Sequence, residues 1–355
     1  MKLTDNSILQ EDIERASSSG CVDWEQLRGR SVLVTGATGL IGGLLVMTLL
    51  SANERLGLGM RVIAAVRNEQ KAKELFRYAG TDLSLAVGDI TSPLDVSGDI
   101  DYIVHGASAT SSKYFVEHPV ETIITALSGT RNVLELAREK KVMGMVYLSS
   151  LEVYGVVDED HGPVDENCFG RIDPMSVRSS YSEGKRMAEN LCASYCGEYG
   201  VNVSVCRLCQ TFGAGVQYND GRVFAQFARS VIEGKDIVLR TDGSTKRNYC
   251  YISDAVTGIL AVLLKGEKGM AYNIANKDTL ISIKDMAQLV IGLCPQSGSK
   301  LTFDIAEDAE KLGYNPKVIL DLATGRAEAI GWRAEVGLEE MFRRLIASMK
   351  NTQTS

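Results

Sequence analysis

Short apolar strands alternate with helices from Arg30 onward, a glycine-spaced turn follows the first strand directly, and the rhythm breaks after Gln210. Together these predict an α/β chain built on a doubly wound parallel sheet, with a smaller C-terminal lobe. Residues 1–29 precede the pattern and read as an appended helical extension, with amphipathic pieces at 11–15 and 24–27. Strands are expected at 31–34, 61–66, 83–87, 102–105, 145–148 and 201–207, where runs of aliphatic side chains suit burial on both faces. Helices are expected at 40–52, 69–79, 120–140 and 182–199, where the apolar spacing lengthens to three and four. The second lobe is broken by Gly213, Gly215, Gly221, Gly234 and Gly243; 252–264 then reads as a helix, 271–274 as a strand and 281–350 as mostly helical. The division that follows is a dinucleotide-binding domain at 30–210, to which 249–268 returns, and a substrate lobe formed by 211–248 and 269–355.

At 355 residues the chain is long enough for two lobes. Hydrophobic residues make up 45% and charged residues 23%, so a packed core is expected. The net charge of −7 argues against a nucleic-acid surface and for small ligands held at local sites. The first twenty residues are polar and acidic, and the longest apolar runs, such as 42–50, are too short to span a bilayer. A cytoplasmic protein with no membrane partner is the expectation. Eight scattered cysteines then read as reduced thiols. Cys206 and Cys209 fall on a strand, where residues three apart face opposite ways, and Cys192 and Cys196 share a helix face with no histidine to complete a zinc site. His105, His118 and His161 have no ligand spacing, so no metal is expected.

Thr35-Gly-Ala-Thr-Gly-Leu-Ile-Gly42 follows the first strand and opens the first long helix, which is the context that a phosphate-cradling glycine loop requires. Glycine allows the backbone to approach a pyrophosphate, and the helix start supplies amide donors with a partial positive charge. Gly36, Thr38, Gly39, Leu40, Ile41 and Gly42 are therefore candidate dinucleotide contacts in a Rossmann-type unit. At the end of the second strand an acidic residue would bond the adenosine ribose, but Arg67 stands there instead. That tilts the expectation to NADP, with NAD as the alternative. Asp89 and Ile90, after the third strand, are placed to hold the adenine; His105 and Ala107, after the fourth, should pass beside the cofactor.

Tyr181-Ser-Glu-Gly-Lys185 sets a phenol and an ammonium one helical turn apart on a common face. A phenol titrates near ~10, and a close cation favours the phenolate, so the pair is expected to hold a tyrosine with a lowered pKa that can take a proton. Ser149, Ser150 and Glu152 lie where the fifth strand ends, the edge at which a parallel sheet receives its ligands. Ser150 can donate to a substrate oxygen while Tyr181 removes its proton, and Glu152 could act at a neighbouring carbon.

With these residues in hand, the chain resembles the extended short-chain dehydrogenase/reductases that act on nucleotide sugars, the epimerase/dehydratase family, over residues 30–347. The motifs are TGATGLIG, GDI, HGAS, LSSLEVYG, YSEGK, NDGRVFAQF, RNYCYISDAV and PKVILDLATGRAEAIGW. The resemblance implies a triad of Ser150, Tyr181 and Lys185, with Lys185 also holding the nicotinamide ribose. It implies a substrate lined by Ser108, Ser149, Ser150 and Asn219, whose diphosphate meets Arg222 and Arg247, and it implies a homodimer built on the helices at 120–140 and 182–199. The NDGRV and R-x-Y-x-Y-I-S-D segments look most like UDP-glucuronate decarboxylases, as do Ser150 and Glu152. Leu151 departs from that pattern: decarboxylases of this type carry serine there and dTDP-glucose dehydratases aspartate.

The resulting expectation is an NAD(P)-dependent enzyme that exchanges hydride at a carbinol or keto carbon of a nucleotide-diphosphate sugar, of epimerase or decarboxylase type. An NADPH-dependent reductase of a nucleotide-linked keto sugar is the alternative, and a dinucleotide sensor without catalysis the remote one.

Overall fold

Seven parallel strands form the main sheet: β1 (Ser31–Thr35), β2 (Arg61–Val66), β3 (Leu83–Val87), β4 (Tyr102–His105), β5 (Gly144–Ser150), β6 (Val203–Leu208) and, later in the chain, β10 (Ala271–Ile274). The computed structural model describes residues 1–158, 161–305 and 318–353. The strand order is β10-β6-β5-β4-β1-β2-β3, so the order reverses between β1 and β4 and opens a crevice above that point. Alternate strand residues go to two separate cores. Val32, Val34, Val62, Ala64, Val104 and Val146 pack on one face, and Leu33, Ile63, Ile103, Met145 and Val203 on the other. This division is why the strands read as continuous apolar runs rather than as alternating ones.

On the first face lie α1 (Ser7–Ser17), α2 (Leu40–Leu56) and α8 (Ile252–Lys265), and on the second α5 (Pro119–Lys140) and α6 (Ser180–Tyr199) pack together. Between them in sequence come α3 (Glu69–Leu75) and α4 (Ser112–Glu117). The smaller lobe holds β7 (Gln210–Phe212), α7 (Val223–Glu233), β8 (Ile237–Leu239), β9 (Lys246–Tyr251), β11 (Asn276–Ser282), α9 (Ile283–Leu293), β12 (Leu301–Phe303), β13 (Ile319–Leu320), α10 (Gly325–Ala329) and α11 (Leu338–Gln353). Its strands make a four-stranded sheet, in which β9 contacts β7, β11 and β13, and a β8–β12 pair.

Some boundaries differ from the sequence reading, each for a local reason. The helix expected at 182–199 begins at Ser180, whose hydroxyl donates to the Phe115 carbonyl at 3.1 Å, so Tyr181 lies inside the helix. The helix expected at 69–79 stops at Leu75. The helix from Leu40 runs on to Leu56, where Gly57 adopts a left-handed conformation and ends it. Residues 271–274, assigned to the substrate lobe, are instead the outermost strand of the main sheet. Pro316 and Lys317 of the last motif lie outside the described residues.

Residues 1–29 form α1 and a short 3-10 turn, Trp24–Leu27, and they are bound into the body of the protein. Ile13 and Ala16 are fully buried. Asp12, also fully buried, accepts from the Tyr251 hydroxyl at 2.6 Å and from Arg344 at 2.8 Å, and the Asn6 amide donates to Ser348 at 2.8 Å. All eight cysteines are free thiols. Among the described residues no helix is long and apolar enough to cross a membrane, and no group of three or more His, Cys, Asp or Glu could hold a metal ion.

Candidate active site

The glycine loop is shaped by backbone packing that leaves no room for a side chain. Gly36 has φ +69°, and a Cβ there would stand 2.8 Å from the carbonyl carbon of Gly106 on the adjacent strand end. At Gly42 a Cβ would come within 2.3 Å of the Gly36 carbonyl oxygen. The first turn of α2 is therefore pressed onto the end of β1, and its N-cap, Gly39, offers no side chain to satisfy the exposed amides. Those free donors beside a glycine cradle fit a dinucleotide pyrophosphate. Thr38, Gly39 and Leu40 line a cavity of about 260 Å³ with Thr110, Arg222 and Leu9, the last from the N-terminal extension. Arg222 is fastened by Asp220, to which its Nη2 donates at 2.7 Å, and its guanidinium lies over Phe224.

The adenosine end is more open. Arg67 is 80% exposed and its guanidinium stands 3.9 Å from the Asp89 carboxylate. Asp89 also accepts from the Thr91 amide and hydroxyl, which hold its carboxyl below the usual range. Ile90 is buried, with its carbonyl taken by the Asn132 amide. His105 is turned into the sheet between the hydroxyls of Thr35, at 2.7 Å, and Thr130, at 3.2 Å. Burial, and then the charge of Lys185, lower its pKa to about 3, so its imidazole is a neutral core group. Ala107 and Ser108 follow it as half-buried loop residues, and the Ser108 hydroxyl donates to the Ala109 carbonyl.

At the end of β5 the two serines separate, because successive strand residues face opposite ways. The Ser149 hydroxyl, 4% exposed, is committed to the Glu189 carboxylate at 2.5 Å and so is not brought to the substrate cleft. Ser150 turns the other way. Its oxygen caps the following turn by accepting from the Glu152 amide at 3.2 Å, and it favours the ionised form of the nearby Tyr181 hydroxyl. The Tyr181 ring stacks on Phe115 with centroids 4.2 Å apart.

The lowered phenol pKa expected from the Tyr181 and Lys185 spacing is not what the structure holds. Burial drives the Tyr181 pKa up and the Glu152 charge adds to the rise, while Ser150 and Arg178 work against it. Lys185 does share the face, with Nζ 5.8 Å from the Tyr181 ring centroid, but it donates to the Leu148 carbonyl at 2.7 Å and lies over the Tyr147 ring. Its own pKa is lowered by burial to about 8. Burial outweighs the cation, and the tyrosine is held as a neutral phenol at pH 7.

Glu152 is engaged on both oxygens, by Arg178 Nη2 at 3.0 Å and by the Ser182 hydroxyl at 3.1 Å. Arg178 was not legible as a site residue: nothing in Ser-Val-Arg-Ser-Ser-Tyr marks its partner 26 residues away. Leu151, the departure from the decarboxylase pattern, is 2% exposed and packs in the core rather than at the cleft. Arg247 lies on β9, its Nε buried and without a hydrogen-bond partner among the described residues. Asn219 sits on an exposed turn.

A doubly wound sheet, a glycine cradle at the strand-order reversal, and a serine, tyrosine and lysine at the next strand end define a dinucleotide-dependent enzyme of the Rossmann class. The chain belongs to the NAD dependent epimerase/dehydratase family, whose pattern it matches over residues 32–275. It is 33% identical over 303 residues to UDP-glucuronic acid decarboxylase 6 of Arabidopsis thaliana, an alignment covering 81% of this chain and 85% of that one. In fold it is similar to the epimerase Mth375 of Methanothermobacter thermautotrophicus, with a TM-score of 0.78 at 20% identity over 99% and 98% of the two chains. It is similar also to a dTDP-glucose 4,6-dehydratase of Streptomyces venezuelae solved with NAD, with a TM-score of 0.74 at 22% identity over 91% and 98%. The enzyme is thus a nucleotide-sugar modifying one, of the type whose members are epimerases, decarboxylases and dehydratases.

Proposed function

We propose that this chain oxidises a ring carbinol of a UDP-linked uronic acid and releases the neighbouring carboxylate as CO₂. The observation that supports this choice within the family is the 33% identity over 303 residues to a UDP-glucuronic acid decarboxylase. The buried, apolar Leu151 counts against a dTDP-glucose dehydratase type, which carries aspartate there, and is also a departure from the serine of decarboxylases. Decarboxylation needs no such acid. Once the carbinol next to the carboxylate-bearing carbon is a ketone, the C–CO₂⁻ bond breaks with its electron pair delocalised onto the ketone oxygen, and a proton then returns to carbon.

In this reading Tyr181 Oη takes the hydroxyl proton, Ser150 orients the sugar oxygen and Lys185 supplies the buried positive charge beside them. Arg222 and Arg247 take the diphosphate, an anion that suits a guanidinium fork. Asn219 and Ser108 are placed at the rim. A bound dinucleotide would supply the hydride acceptor and the later donor. The test is UDP-glucuronate carrying ¹³C at its carboxyl: labelled CO₂ with formation of a UDP-pentose is the expected result. Inversion to a UDP-galacturonate with the label retained would transfer the proposal to a 4-epimerase, for which the same triad suffices.

On the cofactor, the missing carboxylate at the end of β2 favours NADP over NAD, with Arg67 taking the 2′-phosphate and Asp89 partly offsetting it at 3.9 Å. Arg67→Asp should weaken NADP relative to NAD by about tenfold, and Asp89→Asn should strengthen NADP, both measured by isothermal titration. An unchanged preference in both variants overturns the assignment. A homodimer through α5 and α6 is the proposed assembly. It would cover Val120, Ile124 and Met187, which are 64%, 48% and 52% exposed on those helices.

A further inference from the structure

The Glu152 to Arg178 pair is a charged cluster at the cleft that the reading above leaves unused. Both side chains are largely withdrawn from solvent, 14% and 18% exposed. Arg178 lies in the 3-10 turn Val177–Ser179 that leads into α6, three residues before Tyr181. Its guanidinium lies over the Phe115 ring at 5.1 Å, the same ring on which Tyr181 stacks. One Nη2 hydrogen goes to Glu152, and Nε is buried with no hydrogen-bond partner among the described residues. A long cation threaded into such a place has its side-chain entropy and desolvation already spent on a single geometry. A surface ion pair would have neither the aromatic shelf nor the buried donor.

We propose that Arg178 is a positioning residue of this site: it pins Glu152 in an ion pair and stands beside the Tyr181 hydroxyl as a second fixed cation. The inference rests on the reading of Tyr181 as the proton acceptor. Glu152 and Arg178 act on that hydroxyl in opposite directions, a carboxylate disfavouring the phenolate and a guanidinium favouring it. While they are paired, Arg178 offsets part of the Glu152 effect. Glu152 is then a counter-ion rather than a free base, which removes a route to stray proton abstraction from the keto sugar.

The other titratable groups around Tyr181 come from every neighbouring element. Its own helix brings Lys185, and β5 brings Tyr147. From α4 come Lys113 and Glu117, which are exposed and paired with each other. The adjoining stretch of α5 meets this turn of α6 at Gly184 with Ile123 and Ala126, and the Arg207 of β6 is paired two turns further along with Glu189. Only Glu152 and Arg178 among these bear on the hydroxyl from outside helix α6 with a full charge.

Incorporating 3-fluorotyrosine at position 181 of the full chain lets the ¹⁹F shift report the ionisation directly, with no substrate present. Arg178→Met should move that titration to higher pH by about one unit, Glu152→Gln should move it to lower pH, and the double variant should return it close to the parent. The acidic limb of kcat on any nucleotide sugar that the parent turns over should follow the same three displacements. Arg178→Lys, which keeps the charge and loses the fork, should leave the limb in place while lowering kcat. If Arg178→Met and Glu152→Gln shift the titration the same way, or neither shifts it, Arg178 is a structural residue only. A parent that turns over no uronic acid substrate removes the decarboxylase reading, and the ¹⁹F titration still decides for or against Arg178.

Discussion

Tyr181→Phe should abolish nearly all turnover, by about 10³-fold, while leaving fold and dinucleotide affinity intact. The substitution removes one oxygen. The ring contact with Phe115 at 4.2 Å depends on the aromatic face and is kept, so a loss of rate cannot be ascribed to a displaced helix. What disappears is the hydroxyl that faces Ser150, the group at this position able to take a proton. Because burial raises the pKa of that phenol, the parent enzyme should also become faster as pH rises through neutrality, roughly tenfold per pH unit while the ionised fraction limits the rate. The phenylalanine variant should lose that dependence. Residual turnover within about threefold of the parent, with the pH slope unchanged, would assign the proton transfer elsewhere. The measurements are kcat against pH and a dinucleotide titration on the same preparations.

The second large effect lies behind the cleft. Glu189→Gln should destabilise the protein by about 3 to 5 kcal/mol, lowering the melting temperature by roughly 5 to 10 °C. Arg207, a strand residue of β6 only 7% exposed, has its Nε shared between the two Glu189 oxygens, at 3.1 and 3.2 Å, and Nη2 at 2.8 Å from one of them. Its Nη1 reaches the Tyr154 hydroxyl at 3.2 Å and the Glu166 carbonyl at 3.0 Å. Burial opposes the Arg207 cation, yet Glu189 more than offsets it and holds the pKa above the ordinary value. Removing the carboxylate's charge strands a guanidinium in the core. Exchanging both partners for apolar groups, Glu189→Leu with Arg207→Met, should recover most of the loss, since the desolvation cost disappears with the pair. A single variant that melts within a degree of the parent would show that water reaches Arg207 and that the pair contributes little.

These two sites show what a linear reading can reach. The glycine loop and the six early strands were legible because their signals are local: aliphatic runs four to seven residues long, and glycines whose positions in the turn leave no space for a Cβ. The Tyr181 to Lys185 spacing correctly placed both side chains on one helix face. The sign of the tyrosine's pKa shift was not legible, because burial is set by Phe115 and by the end of β5, both distant in sequence. Ser149 and Ser150 look alike in the chain and are opposed in the fold, since the last residues of a strand still alternate between faces. Arg178 and Glu189 escaped notice for one reason, that their meaning lies in a partner 18 or 26 residues away. Residues 271–274 read as a strand, but their place at the edge of the main sheet does not, because pairing with β6 has no local signature.

The extension at the start of the chain has a consequence for biosynthesis. Helix α1 rests against α11, where Asp12 meets Arg344 and Asn6 meets Ser348. The ribosome makes the first of these surfaces more than 300 residues before the second, a delay of at least about 15 s at 5 to 20 residues per second. Throughout that interval α1 can rest on α2 but not on α11, and β1 to β6 can already form their sheet. The nascent protein therefore carries an amphipathic helix mated on one side only, beside a folded nucleotide-binding half, and its closure onto α11 is a late step in maturation.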